Sequence, residues 1–99
     1  MKIVINTCWG GFSLSDYACL KLGIDDPYAY SFNRDMRLDP KLVELVEKDS
    51  SIVSGNCAKL AVVDIPDEVT DWIINEYDGK EDILYVIDGK LNLIDCDYI

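Results

Sequence analysis

The sequence predicts an α+β domain, a mostly antiparallel sheet of about five strands with two helices packed on one side, in the order β-α-α-β-β-β-β. Three observations carry this. An apolar run opens the chain and stops at Gly10-Gly11 before a serine-rich helix start. A second helix is announced by Asp39-Pro40. Two Asp-Gly pairs, Asp78-Gly79 and Asp88-Gly89, sit ten residues apart among β-prone residues. With Asn-Gly, Asp-Gly is the strongest short signal for a tight hairpin, so the C-terminal third reads as a meander.

Each element has a local reason. Lys2 to Thr7 is a short continuous apolar run and reads as a strand. Ser13 or Ser15 can cap a helix to about Leu22, with Leu14, Ala18 and Leu22 on one face and Gly23 as its left-handed stop. The segment Ile24 to Leu38 lacks periodicity; it holds two Tyr, one Phe and both arginines. Asp39 at N-cap and Pro40 at N1 then start the helix "PKLVELVEK", which buries Leu42, Val43 and Val46, before "DSSIVSGN" loops out. Cys57 to Ile65 is a second apolar strand, predicted to lie inside the sheet. The meander follows.

Length and composition bound the class. Ninety-nine residues, nearly half of them hydrophobic, make one globular domain over residues 1–99. No run approaches the roughly 18 apolar residues of a membrane helix, and the start lacks a signal-peptide pattern. A cytoplasmic location is therefore expected. Nineteen acidic residues against nine basic ones give a net charge of -10, which disfavours direct nucleic-acid binding. The charge either solubilises the chain or meets a basic partner, even as a nucleic-acid mimic. Cys8, Cys19, Cys57 and Cys96 form no CxxC pair and there is no His, so zinc spacing is absent; four free thiols and no metal or cofactor are expected.

The stretch "INTCWGGFSLS", Ile5 to Ser15, bears most on function. A strand, a Gly-Gly turn and a helix N-terminus make an anion-binding geometry. Gly10 and Gly11 allow close backbone approach, Asn6 and Thr7 add polar groups, and Trp9 or Phe12 can cover a base or sugar. The neighbouring Lys and spacing of a phosphate-binding loop are missing. The bland alternative is a tight turn with Trp9 and Phe12 in the core. Arg37 offers a planar fork for phosphate or carboxylate, or else forms a surface pair with Asp39 worth about 0–1 kcal/mol. In "NEYDG", alternation puts Glu76 and Asp78 on one face and Asn75 and Tyr77 on the other. The two carboxylates can act as acid and base or hold hydrated Mg2+, or simply belong to a solvated hairpin. Cys8 is a candidate nucleophile, although no His can assist it.

The opening "KIVINTCWGGFSLS", followed in order by "RLDPKLVELVE", "KLAVVDIPD" and "NEYDG", resembles a group of small uncharacterised phage and prophage proteins. The likeness extends to about Gly79. Members of that group often end soon after the acidic-aromatic block with basic and aromatic residues, whereas this chain ends in the acidic "DGKLNLIDCDYI". The resemblance implies a phage or prophage origin and supplies no settled activity.

Three functions remain open on this reading. The first is a non-catalytic sponge for a small anionic ligand of nucleotide type, a host defence signal, held by Asn6, Thr7, Cys8, Trp9, Gly10, Gly11, Phe12, Arg37, Glu76 and Tyr77. The second is an enzyme acting on such a nucleotide through Cys8 or Glu76 and Asp78. The third is an acidic protein inhibitor. A homodimer is compatible with each.

Overall fold

Ile3, Val4 and Ile5 are all fully buried, which requires cover on both faces of the first strand. The computed structural model, which describes residues 1–98 and side chains through Asp97, shows how this is met. The elements are β1 (Lys2–Asn6), α1 (Asp16–Leu22), a 3-10 turn (Arg34–Leu38), α2 (Pro40–Val53), β2 (Leu60–Asp64), β3 (Asp71–Tyr77), β4 (Lys80–Ile87), β5 (Lys90–Ile94) and a final 3-10 turn (Cys96–Tyr98). The α+β class and the element order are those expected.

The strands divide between two antiparallel sheets, β1-β2 and β3-β4-β5, where one sheet was expected. The β1-β2 ribbon is the middle layer of the molecule. Val4 and Leu60 pack with Ala18, Leu42, Val43, Val46 and Val53, so both helices lie on that face. Ile3, Ile5, Val63 and Ile65 pack on the other face with Trp72 and Ile83 of the second sheet. β2 is therefore apolar because it is covered from both sides, not because it sits between two strands.

The reason the sheets do not merge lies at the free edge of β1. Residues two apart on a strand aim their backbone groups at the same edge. On the edge away from β2, the Val4 carbonyl accepts from Arg37 Nη1 at 3.2 Å and the Asn6 N–H donates to Glu81 Oε1 at 2.7 Å. A buried ion pair occupies the place a neighbouring strand would fill.

Local signals set most boundaries. Ser15 caps α1 by accepting from the Ala18 N–H, and Gly23 at φ 70° ends it. Asp39 caps α2 by accepting from Lys41 N–H, with Pro40 at N1. Asp49 breaks helical geometry (φ -161°, ψ 94°), and its carboxylate accepts from Ser51 N–H to start one further turn to Val53. The regular helix thus ends where the sequence suggested, and the "DSSIV" stretch is a capped turn rather than an open loop. Both Asp-Gly pairs have positive φ at each residue, the signature of type I′ hairpins. Among the described residues no helix is long and apolar enough to cross a membrane.

Candidate functional site

The Gly-Gly loop and the β3-β4 hairpin meet backbone to backbone. Gly10 N–H donates to the Asp78 carbonyl at 3.3 Å. A Cβ on Gly79 would lie 2.2 Å from Gly11 N and 2.5 Å from Gly10 N, and one on Gly10 would lie 2.7 Å from Cys57 Cβ. Only glycine fits these contacts. Gly11, at φ 97°, faces open space instead.

Asn6 fixes this junction. It is fully buried, and its amide donates to the Cys8 and Gly79 carbonyls at 2.7 Å each. Its Oδ1 accepts from Lys59 N–H at 2.9 Å and from Cys8 N–H at 3.3 Å. Every polar site on the side chain is used, so Asn6 positions the loop and has nothing left for a ligand. Thr7 uses both its donors on the backbone, its N–H and hydroxyl each donating to the Lys59 carbonyl.

Arg37 requires a correction. It is neither an exposed surface pair nor a free counter-charge. Its guanidinium is buried, chelating Glu81 through Nη1–Oε1 at 2.7 Å and Nη2–Oε2 at 2.9 Å. The remaining donors reach the carbonyls of Tyr30, Ser31 and Val4, and the group lies 3.7 Å from the Phe12 ring centroid. All five donors of the fork are engaged. Arg37 holds together β1, β4 and the loop before its own turn.

Above this pair lies a cleft of about 430 Å³. Phe12, Arg37 and Glu81 contribute to its lining from beneath, Gly10, Gly11 and Gly79 from the loop junction, and Ile74 and Glu76 from β3. Tyr28, Ser31, Phe32 and Arg34 come from the aperiodic segment between the helices. Phe32 is 93% exposed at this cleft, and Tyr28 is more than half exposed. Glu76 Oε1 accepts the Gly79 N–H at 2.6 Å. Among the described residues no hydrogen bond engages Glu76 Oε2. Arg34 donates to the Trp72 carbonyl and contacts Asp71 at 3.4 Å while staying half exposed. Its guanidinium lies 4.7 Å from the Trp72 ring centroid.

Gly10, Gly11, Phe12, Arg37 and Glu76 are thus brought to one cleft. Asn6 and Thr7 support it from behind. Cys8 is half-buried and outside the lining; Trp9 and Tyr77 stand apart as an exposed edge-to-face pair, ring centroids 6.1 Å apart. Glu76 lines the cleft and accepts the Gly79 N–H, whereas Asp78 sits in the hairpin turn at φ 54° and outside the lining. The helix N-terminus is also misplaced for the anion geometry expected. α1 begins five residues after Gly11, its first turn carries Asp16, and Ser15 and Asp16 line a different, more polar cleft with Asn56. Tyr28 and Phe32 belong to no motif, and their available signal is an aromatic-rich stretch without periodicity. Arg34, adjoined by Asp35 in the sequence, does pair with it, at 3.8 Å, and also lines the cleft.

All four cysteines are free. Burial, then the neighbouring Asp82, pushes the Cys96 thiol up to about 11. Its Sγ and one carboxylate oxygen each of Asp82 and Asp95 lie within 4.8 Å of one another. No family model, curated protein or solved structure matches the chain.

Proposed function

We propose that the chain binds a small anionic ligand of nucleotide type in the Gly11–Phe32 cleft and holds it unchanged. The observation that carries this is Phe32, an aromatic ring almost wholly in solvent beside a concave site. Exposed aromatics at a cleft offer a stacking surface for a planar ring. Glu76 keeps an acceptor oxygen for a sugar hydroxyl or base amino group, and Gly11 leaves the backbone accessible. The counter-charge in this reading is Arg34, whose exposed contacts with Asp35 at 3.8 Å and Asp71 at 3.4 Å an anionic group must displace. With Arg37 neutralised by Glu81, and Glu76 nearby, the cleft favours a single anionic group over a polyphosphate.

Capture without turnover is supported by how the reactive groups are used. Glu81 is committed to Arg37 and Asn6, and Cys8 lies outside the lining. The likeness to phage and prophage proteins gives such capture a biological sense, the removal of a host defence nucleotide in the host cytoplasm. The test is a thermal-shift panel of mono- and dinucleotides, with each nucleotide recovered and analysed. A stabilised protein with unchanged nucleotide is the expected result. A converted nucleotide identifies an enzyme, and no stabilisation by any nucleotide removes the proposal.

A further inference from the structure

Among the described residues nothing covers the outer face of β3-β4-β5, and its central rows are apolar. Cross-strand register places Ile73, Leu84 and Leu93 in one row and Val86 and Leu91 in the next. Ile73, Leu91 and Leu93 are 47%, 69% and 57% exposed. A shallow depression of about 150 Å³ lies between Ile73, Leu84, Val86 and Leu91. Toward the hairpin tip the same face continues to Tyr77, which packs edge-on against Trp9. Contiguous exposed apolar surface of this kind marks an interaction site, and Trp and Tyr are the residues that most often anchor one.

The charges on this face select the partner. Between the aliphatic rows and the aromatic pair, Asp82 lies opposite Asn75, and its carboxylate is within 4.8 Å of that of Asp95. Among the described residues neither meets a cation. Lys80 is taken by Asp97 and sits 4.8 Å from the Trp9 ring centroid, while Asp71 is met by Arg34. Two adjacent carboxylates without a cation, bordering the apolar rows and each with one oxygen accepting a backbone N–H, repel a second copy of a chain of net charge -10. They attract a positive group that brings apolar neighbours with it. Arginine suits this position because its planar fork can bridge two carboxylates and stack on an aromatic ring.

We propose that this face docks an arginine-bearing, apolar-faced protein segment, the arginine on Asp82 and Asp95 and apolar side chains over Leu84 and Leu93. The probe is a synthetic strand-forming peptide alternating leucine with arginine, followed by amide chemical-shift mapping on the intact protein. Shifts confined to β3–β5 and the Trp9 loop are expected. Leu93→Ser and Asp95→Asn should each weaken binding roughly tenfold, and a leucine–glutamate peptide should not bind. Asp25→Asn, which removes an equal charge from an exposed loop elsewhere, should leave affinity unchanged. Equal loss with Asp25→Asn, shifts elsewhere, or no binding would overturn the proposal. So would a dimer that Leu93→Ser converts to a monomer, since the occupant would then be a second copy.

Discussion

Gly79 and Gly89 occupy the same place in two type I′ hairpins, yet their surroundings differ. Both have positive φ, but a Cβ on Gly79 would strike the backbone of Gly10 and Gly11, whereas one on Gly89 meets nothing. Gly89→Ala should cost about 1 kcal/mol, the conformational penalty alone. Gly79→Ala should cost at least about 2 kcal/mol more, because the Gly-Gly loop must move or the hairpin must lift. Urea unfolding of the two variants gives the comparison; equal losses would show that the loop junction is not tightly packed. Arg37 and Glu81 allow a second comparison. Removing one partner of a buried pair costs about 3–5 kcal/mol. Replacing both by apolar residues often restores stability elsewhere. Here it should not, because the carbonyls of Val4, Tyr30 and Ser31 and the Asn6 N–H would lose their partners together. An Arg37→Met, Glu81→Leu double variant as stable as wild type would refute the role of the pair as the edge partner of β1. Neither residue betrayed this in the sequence. Their partnership spans 44 positions and replaces a strand, so no local pattern encodes it.

At the scale of elements, features written in neighbouring residues were legible. Ser15, Gly23, Asp39-Pro40 and both Asp-Gly turns act within a few residues, and each appears where expected. The division into two sheets was not legible, since an apolar strand covered on both faces reads the same in a central strand and in a middle layer. Likewise Gly10, Gly11, Phe12 and Glu76 could be assigned to one site from motif and spacing. Tyr28, Phe32 and Arg34 reach it only through the path of an irregular segment. That segment is tied to α2 through Tyr30, whose hydroxyl donates to Asp39 Oδ2 at 2.7 Å. Burial, then Asp39, raises the Tyr30 hydroxyl from 10.0 to about 12. Cys96, beside the end of β5, is raised from 9.0 to about 11. Both groups hold their proton more tightly when folded. Their contribution to stability is therefore complete below the unfolded values and is lost as pH climbs through the folded ones. The urea midpoint should fall steadily between about pH 9 and about pH 12, and Tyr30→Phe should flatten the upper part of that fall. A midpoint that is constant or rises over this range would contradict the assignment.

The whole molecule is a three-layer stack, helices over a two-stranded ribbon over a three-stranded sheet, and the layers give it two surfaces of different character. The cleft lies where the Gly-Gly loop, the aperiodic segment and the β3-β4 hairpin converge, while the far side of the sheet carries the apolar, acid-marked face. Each surface presents exposed aromatic rings, Phe32 and Tyr28 at the cleft and Trp9 and Tyr77 at the face. The most direct test of ligand capture in the cleft uses that symmetry. It is a calorimetric titration of the nucleotide that stabilises the protein most, into wild type, Phe32→Ala and Trp9→Ala. Stacking in the cleft requires Phe32→Ala to weaken binding at least tenfold, about 1.4 kcal/mol, while Trp9→Ala leaves it unchanged. Loss of affinity with Trp9→Ala and none with Phe32→Ala would place the ligand on the wrong surface and contradict the proposed site.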